Sequence, residues 1–211
     1  MSKIYLLNNQ KYEGVENIEV FNIEFISSKI DLKEYDFLII TSKNAIYSLD
    51  SFNNEWKNIP CLAIAKKTAK VIEKEGGIVS FIGESSHGND FAKEILPHLK
   101  NKKAIYIRAN DVVSSLVEIL KENNVDIDEL VTYKTVCNNF LNTKIEDCST
   151  IIFTSPSSVK CFFEKYTWNE TFKAVVIGKT TAKYIPEGIS FKVSPITSIE
   201  ECIKLAKMVT F

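Results

Sequence analysis

The sequence predicts an α/β fold of two similar doubly wound parallel-sheet domains joined by a double linker. Apolar runs of strand length alternate with amphipathic stretches of helical period, which is the pattern of repeated βαβ units. One motif also occurs twice. Phe37-Leu38-Ile39-Ile40-Thr41-Ser42-Lys43-Asn44-Ala45 and Ile151-Ile152-Phe153-Thr154-Ser155-Pro156-Ser157-Ser158-Val159 each read as strand, polar turn and helix. A second likeness follows each copy, Ala63-Ile64-Ala65-Lys66-Lys67-Thr68-Ala69-Lys70 beside Val176-Ile177-Gly178-Lys179-Thr180-Thr181-Ala182-Lys183. The interval is equal in both copies, with 26 residues from Ser42 to Thr68 and 26 from Ser155 to Thr181.

In chain order, Lys3 to Leu7 reads as a strand and Val20 to Ile26 as a second, alternating one. Polarity rises from Ser27 to Tyr35, which marks a linker. A strand over 37–41, a helix from about Ser42 and a strand over 61–65 follow. A helix from about Lys67 stops at Gly76-Gly77. After a strand over 78–82, Asn89 or Asp90 caps a helix to His98 whose last turn Pro97 weakens. A strand over 104–108, a helix over 111–123 and a strand over 130–136 complete this part. The second copy gives strands over 151–154, 174–178 and 189–193 with helices between them, then a last helix opened by Thr197-Ser198-Ile199-Glu200 as a capping box.

The second copy lacks the closing strand, helix and strand of the first. Ile4-Tyr5-Leu6-Leu7-Asn8-Asn9 resembles Ile105-Tyr106-Ile107-Arg108-Ala109-Asn110, so the missing pieces are expected at the start of the chain. The expected domains are a split one, 1–26 plus 138–211, and a continuous one, 30–135, with linkers near 27–31 and 133–138. A double connection of this kind is expected to allow hinge motion about a shared cleft.

Composition narrows the function classes. A chain of 211 residues, 45% hydrophobic and 25% charged, is ordinary for a soluble globular protein. A formal net charge of -1 argues against a general nucleic-acid binder, which needs a basic face. No apolar run approaches the ~20 residues that cross a bilayer, so a cytoplasmic protein without a membrane partner is expected. The five cysteines, Cys61, Cys137, Cys148, Cys161 and Cys202, read as reduced core thiols. With only His87 and His98 and no paired ligand spacing, no metal site is expected.

The chemistry is expected beyond the carboxyl ends of the strands, where helix N-termini present free N–H groups and a positive dipole end. Ser42 and Ser155 read as N-caps, Pro156 suits the first helical position, and the amides of Lys43, Asn44, Ser157 and Ser158 would face an anion. Helix capping alone accounts for any one such pair. Four starts, at Ser42, Lys67-Thr68, Ser155 and Thr180-Thr181, point instead to a site lined for carboxylates. Gly178-Lys179-Thr180 has only the tail of a phosphate-binding loop, and no G-x-G-x-x-G occurs, so no nucleotide cofactor is expected. Arg108, the only arginine, ends a strand at that edge, where it serves either a ligand or a salt bridge. Lys43, Lys66 and Lys179 flank the turns. Tyr133 lies where the chain should cross between domains, as a packing residue or a cleft group. Two histidines assemble no Ser-His-Asp or Cys-His set.

Taken together, Phe37 to Ala45, Ala65-Lys66-Lys67-Thr68-Ala69, Val131-Thr132-Tyr133-Lys134-Thr135, Phe153-Thr154-Ser155-Pro156-Ser157, Ile177-Gly178-Lys179-Thr180-Thr181-Ala182 and Ser194-Pro195 resemble uroporphyrinogen-III synthase. The resemblance spans nearly the whole chain. It implies a cofactor-free lyase of tetrapyrrole (heme) biosynthesis, a monomer that takes hydroxymethylbilane, with its eight carboxylates, from hydroxymethylbilane synthase. The substrate is closed with its last pyrrole ring inverted and water lost, through an azafulvene and a spiro intermediate. Tyr133 matches the family's cleft tyrosine and would assist departure of the terminal hydroxyl. Thr41, Ser42, Lys43, Asn44, Thr68, Arg108, Ser155, Ser157, Ser158, Lys179, Thr180 and Thr181 would meet the substrate. Asn8-Asn9 stand where the family often has a basic residue, Ala65 stands for a glycine, and no arginine opens the helix after Arg108. The alternative from the residues themselves is a non-enzymatic two-lobed module that binds a small carboxylate ligand.

Overall fold

The apolar runs become the inner strands of two sheets, and helices cover both faces of each. The structure is a computed structural model that describes residues 2–85 and 87–209. Its chain divides into unit 1, Met1–Asn22 with Val136–Phe211, and unit 2, Ile23–Thr135.

Unit 1 opens with β1 (Ile4–Leu6) and β2 (Glu16–Asn17), and β3 (Phe21–Phe25) leads into unit 2. There follow β4 (Phe37–Ile40), α1 (Lys43–Asp50), β5 (Pro60–Ala63), α2 (Lys66–Lys74), β6 (Ile78–Ile82), α3 (Gly88–Ile95), β7 (Lys103–Ala109), α4 (Leu116–Glu122) and β8 (Asp126–Cys137). Back in unit 1 are β9 (Thr150–Phe153), α5 (Pro156–Lys165), β10 (Lys173–Val176), α6 (Lys179–Ala182), β11 (Phe191–Val193) and α7 (Ile199–Met208). The chain changes unit within the paired strands β3 and β8, not in the polar stretch 27–31, which lies in unit 2. The bonds Asn138 N to Val20 O and Ile26 N to Thr132 O run these two strands antiparallel.

The unit 1 sheet has the order β11-β10-β9-β1-β2, and the unit 2 sheet β3-β8-β7-β4-β5-β6. The inner pairings are parallel. Read from β11 and from β6, the orders coincide, with β1 in the place of β7. Register corrects the sequence match between these two strands. Ile39 pairs with Tyr106 and its counterpart Ile152 pairs with Leu6, so Tyr106 corresponds to Leu6 rather than to Tyr5. A one-residue slip exchanges the two faces of a strand.

Side chains alternate across each strand and so feed two cores per unit. In unit 2, Leu38 and Ile40 pack with Ala45, Ile46 and Leu49 of α1 and Ala69 and Ile72 of α2. Ile39 packs on the other face with Phe91 and Ile95 of α3 and Leu116 and Leu120 of α4. In unit 1, Phe153 meets Val159 and Phe162 of α5, while Ile152 and Val175 meet Cys202, Ile203 and Ala206 of α7. Each such fully buried aliphatic side chain stabilises its unit by about 1.5–3 kcal/mol.

Boundaries moved where side chains bond elsewhere. Helix α2 ends in a Schellman arrangement: Gly76 adopts φ +86°, and Gly77 N donates to Ile72 O at 2.9 Å. A Cβ on Gly77 would sit 2.2 Å from the Trp56 ring, so the chain needs glycine there for approach as well as for the turn. Asn89 does not cap α3, whose N-cap is His87; its Oδ1 instead accepts from Ser115 N at 2.9 Å. Helix α4 begins only at Leu116, after the N-cap Ser115 that makes this contact, and not at the expected Asp111. The last helix is capped by Ser198, which accepts from Glu201 N, one residue later than the expected Thr197. The expectation of five reduced thiols is corrected: Cys137, at the end of β8, and Cys161 of α5 form a disulfide with Cα atoms 5.0 Å apart. Only the fold brings together two residues 24 apart in sequence. Cys61, Cys148 and Cys202 are free, and burial pushes the Cys61 thiol up to about 12. Among the described residues no helix is long and apolar enough to cross a membrane, and no group of three or more His, Cys, Asp or Glu could hold a metal ion.

Candidate active site

Strand β4 is apolar until Ile40, and the Thr41-Ser42 pair that ends it has two separate tasks. Ser42 leaves the strand in extended geometry, φ -149° and ψ 143°, and caps α1 by accepting from Asn44 N at 3.2 Å. Thr41 points to the opposite face of the sheet, where its Oγ1 lies 2.9 Å from the hydroxyl of Tyr106 on β7. Tyr133, on β8, is 7% exposed and belongs to the same core as α1. Burial pushes its hydroxyl above the ordinary tyrosine value, and a hydrogen bond with the Ser42 side chain offsets part of that rise. Burial likewise raises Tyr106, with the Thr41 bond lowering it and the nearby Tyr133 adding to the rise. Tyr106 therefore holds the Thr41 hydroxyl on one face of the sheet, and Tyr133 lies near the Ser42 side chain on the other.

The backbone beneath Tyr133 is fixed too. The Ser48 hydroxyl, on the fully buried side of α1, donates to Thr132 O, and Ile26 N donates to the same carbonyl at 2.7 Å. Neither Tyr106 nor Ser48 is singled out by the sequence, because cross-strand register and helix docking make these contacts. Only the Thr41-Ser42 repeat pointed to the turn they serve.

The remaining unit 2 positions separate into exposed and committed groups. Lys43 is exposed at the first position of α1, and Asn44 is half-buried behind it. Helix α2 begins at Lys66 after Ala65, which makes no side-chain cap bond, so Lys67-Thr68 is not its start. Thr68 is its third residue, 7% exposed, with its amide on Ala65 O. Ala65 has φ -160°, which any residue adopts, so the family's glycine is not required there. Arg108 is used internally. Its Nη1 donates to Ala109 O at 2.8 Å and Asn110 O at 3.0 Å. Its Nε lies 2.6 Å from Glu129 Oε2, an ion pair in which the N–H is not aimed along the contact.

The equivalent turn of unit 1 is built from serines and a threonine. Ser155 caps α5 in a capping box: its Oγ accepts from Ser158 N at 3.1 Å. The Ser158 hydroxyl accepts from Thr154 N and Ser155 N, both at 3.1 Å, and donates to Ser155 O at 2.7 Å. Ser158 is fully buried, and its side chain is spent on this turn, whereas Ser157 is half-buried beside it. Thr154 donates to Leu7 O at 3.0 Å and accepts from Asn8 Nδ2 at 3.4 Å, so Asn8 braces the strand ends. Helix α6 is one turn, Lys179–Ala182, capped by Gly178; Lys179 and Thr180 are exposed and Thr181 is buried as its third residue. Thr68 and Thr181 thus occupy the same position in their units, and neither caps a helix. A cavity of about 640 Å³ in unit 1, lined by Lys3, Gly14, Glu16 and Lys207, opens at the start of β1, away from these turns.

Residues 17–203 match the family model described as uroporphyrinogen-III synthase HemD. The chain belongs to the uroporphyrinogen-III synthase family. It superposes on the crystal structure of uroporphyrinogen-III synthetase from Helicobacter pylori 26695 with a TM-score of 0.88 at 29% identity, covering 99% of this chain and 100% of that one. A mutant uroporphyrinogen III synthase from the extremely thermophilic bacterium Thermus thermophilus, at 16% identity, shares the fold with a TM-score of 0.60 over 99% of this chain and 98% of its own. The porphyrin biosynthesis protein HemD of Ruminiclostridium josui is 29% identical over an alignment 169 residues long that covers 72% of this chain and 34% of that protein. The chain therefore spans about a third of the length of that curated relative.

Proposed function

We propose that this member of the uroporphyrinogen-III synthase family closes hydroxymethylbilane to uroporphyrinogen III, inverting the last pyrrole ring and releasing water. The observation that carries the reading is the family match over residues 17–203, joined to a fold that ends the same strand of each sheet in a Thr-Ser helix start. In this reading the two units are copies of one lobe, permuted so that β1 completes the copy holding both chain ends. The enzyme acts as a cytoplasmic monomer, without a cofactor, on substrate released by hydroxymethylbilane synthase.

The substrate's carboxylates suit the first-turn amides of α1, α2 and α5 with the exposed Lys43, Lys66 and Lys67 beside two of them. Tyr133 donates a hydrogen bond to the departing hydroxyl, which takes up a proton and leaves as water while the N–H of the pyrrole that bore it gives a proton up, so the azafulvene forms with no net change in protons. Its raised pKa keeps it neutral and a donor across the physiological range, and makes full proton transfer from it harder. Ser42 anchors the phenol, and Thr132, held by Ser48 and Ile26, sets its height on β8. Orientation supplies roughly 7–11 kcal/mol in favourable cases, so positioning by many groups outweighs a single weak acid. The test is to generate hydroxymethylbilane enzymatically with the purified chain present and resolve the isomers formed. Type III product above the spontaneous background is expected; type I alone, at the uncatalysed rate, overturns the reading.

A further inference from the structure

We infer that Tyr106 is a positioning residue of this site, which acts by holding the Thr41 hydroxyl, and that its phenol is not required by the fold. The inference rests on the proposed cyclisation. Tyr106 is 3% exposed, its ring lies in the core with Ile39, Leu62 and Phe91, and its Oη meets Thr41 Oγ1 at 2.9 Å. A buried hydroxyl without a partner is costly, so this pair, in which either oxygen can donate, holds the Thr41 hydroxyl in place.

The second unit acts as an internal control. The residue equivalent to Tyr106 is Leu6, which fills the same strand position with no polar atom. The threonine equivalent to Thr41 is Thr154, which satisfies its hydroxyl on the backbone, at Leu7 O. The architecture is therefore complete with an aliphatic residue and a main-chain acceptor. In unit 2 the strand next to the one bearing Tyr133 instead carries a phenol that partners the threonine hydroxyl. Thr41 and Ser42 are consecutive, so Tyr106 fixes from one face of the sheet the same turn that Tyr133 approaches from the other.

The test is a double-mutant cycle of Tyr106→Phe and Thr41→Val, read by kcat, KM and the type III to type I ratio, with thermal melting in parallel. Tyr106→Phe keeps the ring and removes one oxygen. It is expected to lower kcat and the type III fraction by between about twofold and about tenfold, the range that one net hydrogen bond carries, with KM little changed. Thr41→Val is expected to do the same, and the double variant to be no worse than Thr41→Val alone. Wild-type rate and isomer ratio in Tyr106→Phe overturn the inference, as does an effect equally large in the Thr41→Val background. Leu6→Tyr in unit 1 is the control for packing alone, and the inference expects no gain in activity from it. If the wild-type chain itself yields only type I product, the proposed cyclisation fails instead, and the two failures are distinct.

Discussion

Ser158→Ala separates a structural serine from a substrate contact. In the folded chain the Ser158 hydroxyl accepts from Thr154 N and Ser155 N and donates to Ser155 O, and the residue is fully buried. Alanine leaves two amides and one carbonyl at the mouth of α5 without that partner. At about 1 kcal/mol net for each bond, and with Thr154 and Ser155 half-buried so that water replaces part of the loss, the cost is roughly 2–3 kcal/mol. Ser155→Ala removes one cap acceptor, from Ser158 N, and is expected to cost about 1 kcal/mol. Urea unfolding of the full chain measures both, and hydrogen exchange over 150–165 locates the change. The expected order is Ser158→Ala well below Ser155→Ala, with protection lost at the start of α5. If Ser158→Ala melts with wild type and only its KM rises, the hydroxyl is free for substrate and the bonding argument is wrong.

Tyr133→Phe is expected to slow type III formation about tenfold or more while melting stays close to wild type, because the ring stays packed in the core and only its hydroxyl, near the Ser42 side chain, is lost; full activity makes the residue structural. Alkaline pH should unfold the chain. Burial raises Tyr35 to about 12, with its hydrogen bond to Asp128 adding to the rise, and burial raises Tyr106 and Tyr133 as well. The unfolded value is about 10. Their contribution is therefore complete below that pH and is lost as the pH climbs through the folded values, so melting temperature should fall between about pH 10 and about pH 12. A flat profile there contradicts the burial of these phenols. The Cys137–Cys161 bond closes a separation of 24 residues and should add about 3 kcal/mol to unit 1. A reductant should lower the melting point of wild type but not of Cys137→Ser, whereas alkylation of all five cysteines in the unreduced denatured chain would show that no bond forms.

The parts of the fold that periodicity and turn chemistry dictate were legible in the residues. Strand β6 occupies 78–82 as expected, Ser42 and Ser155 cap where a polar pair ends an apolar run, and Gly76-Gly77 stops α2. Register was not legible, because aligning Ile4-Tyr5 with Ile105-Tyr106 matches letters whereas pairing with β4 and β9 matches Tyr106 to Leu6. The same blindness hid the Thr41 to Tyr106 contact and the disulfide, which both join residues that only the sheet brings together. Residue type also could not say which polar groups the turns consume. Ser157 and Ser158 look alike in sequence, yet one is half-buried and the other is enclosed in four bonds.

In the proposed cyclisation Arg108 would have to give up internal contacts to meet a substrate carboxylate. Arg108 is paired with Glu129 and with two backbone carbonyls, and its side chain is 20% exposed, so turning it toward a ligand would break all three contacts and leave Glu129 only the longer ion pair with Lys121, at 3.9 Å. Breaking such a set costs more than one new ion pair returns at a wet surface, where the median exposed pair is worth about 0–1 kcal/mol. Asn8, where the family often has a base, is likewise occupied with Thr154 and the turn after β1. What remains are backbone amides at helix starts and exposed lysines, groups whose individual contributions are small and replaceable. Tolerance to single lysine substitutions and sensitivity to changes that deform the Thr41-Ser42 or Thr154-Ser155 turns then follow from the same cause, since a turn orients several amides at once whereas a lysine offers one screened charge.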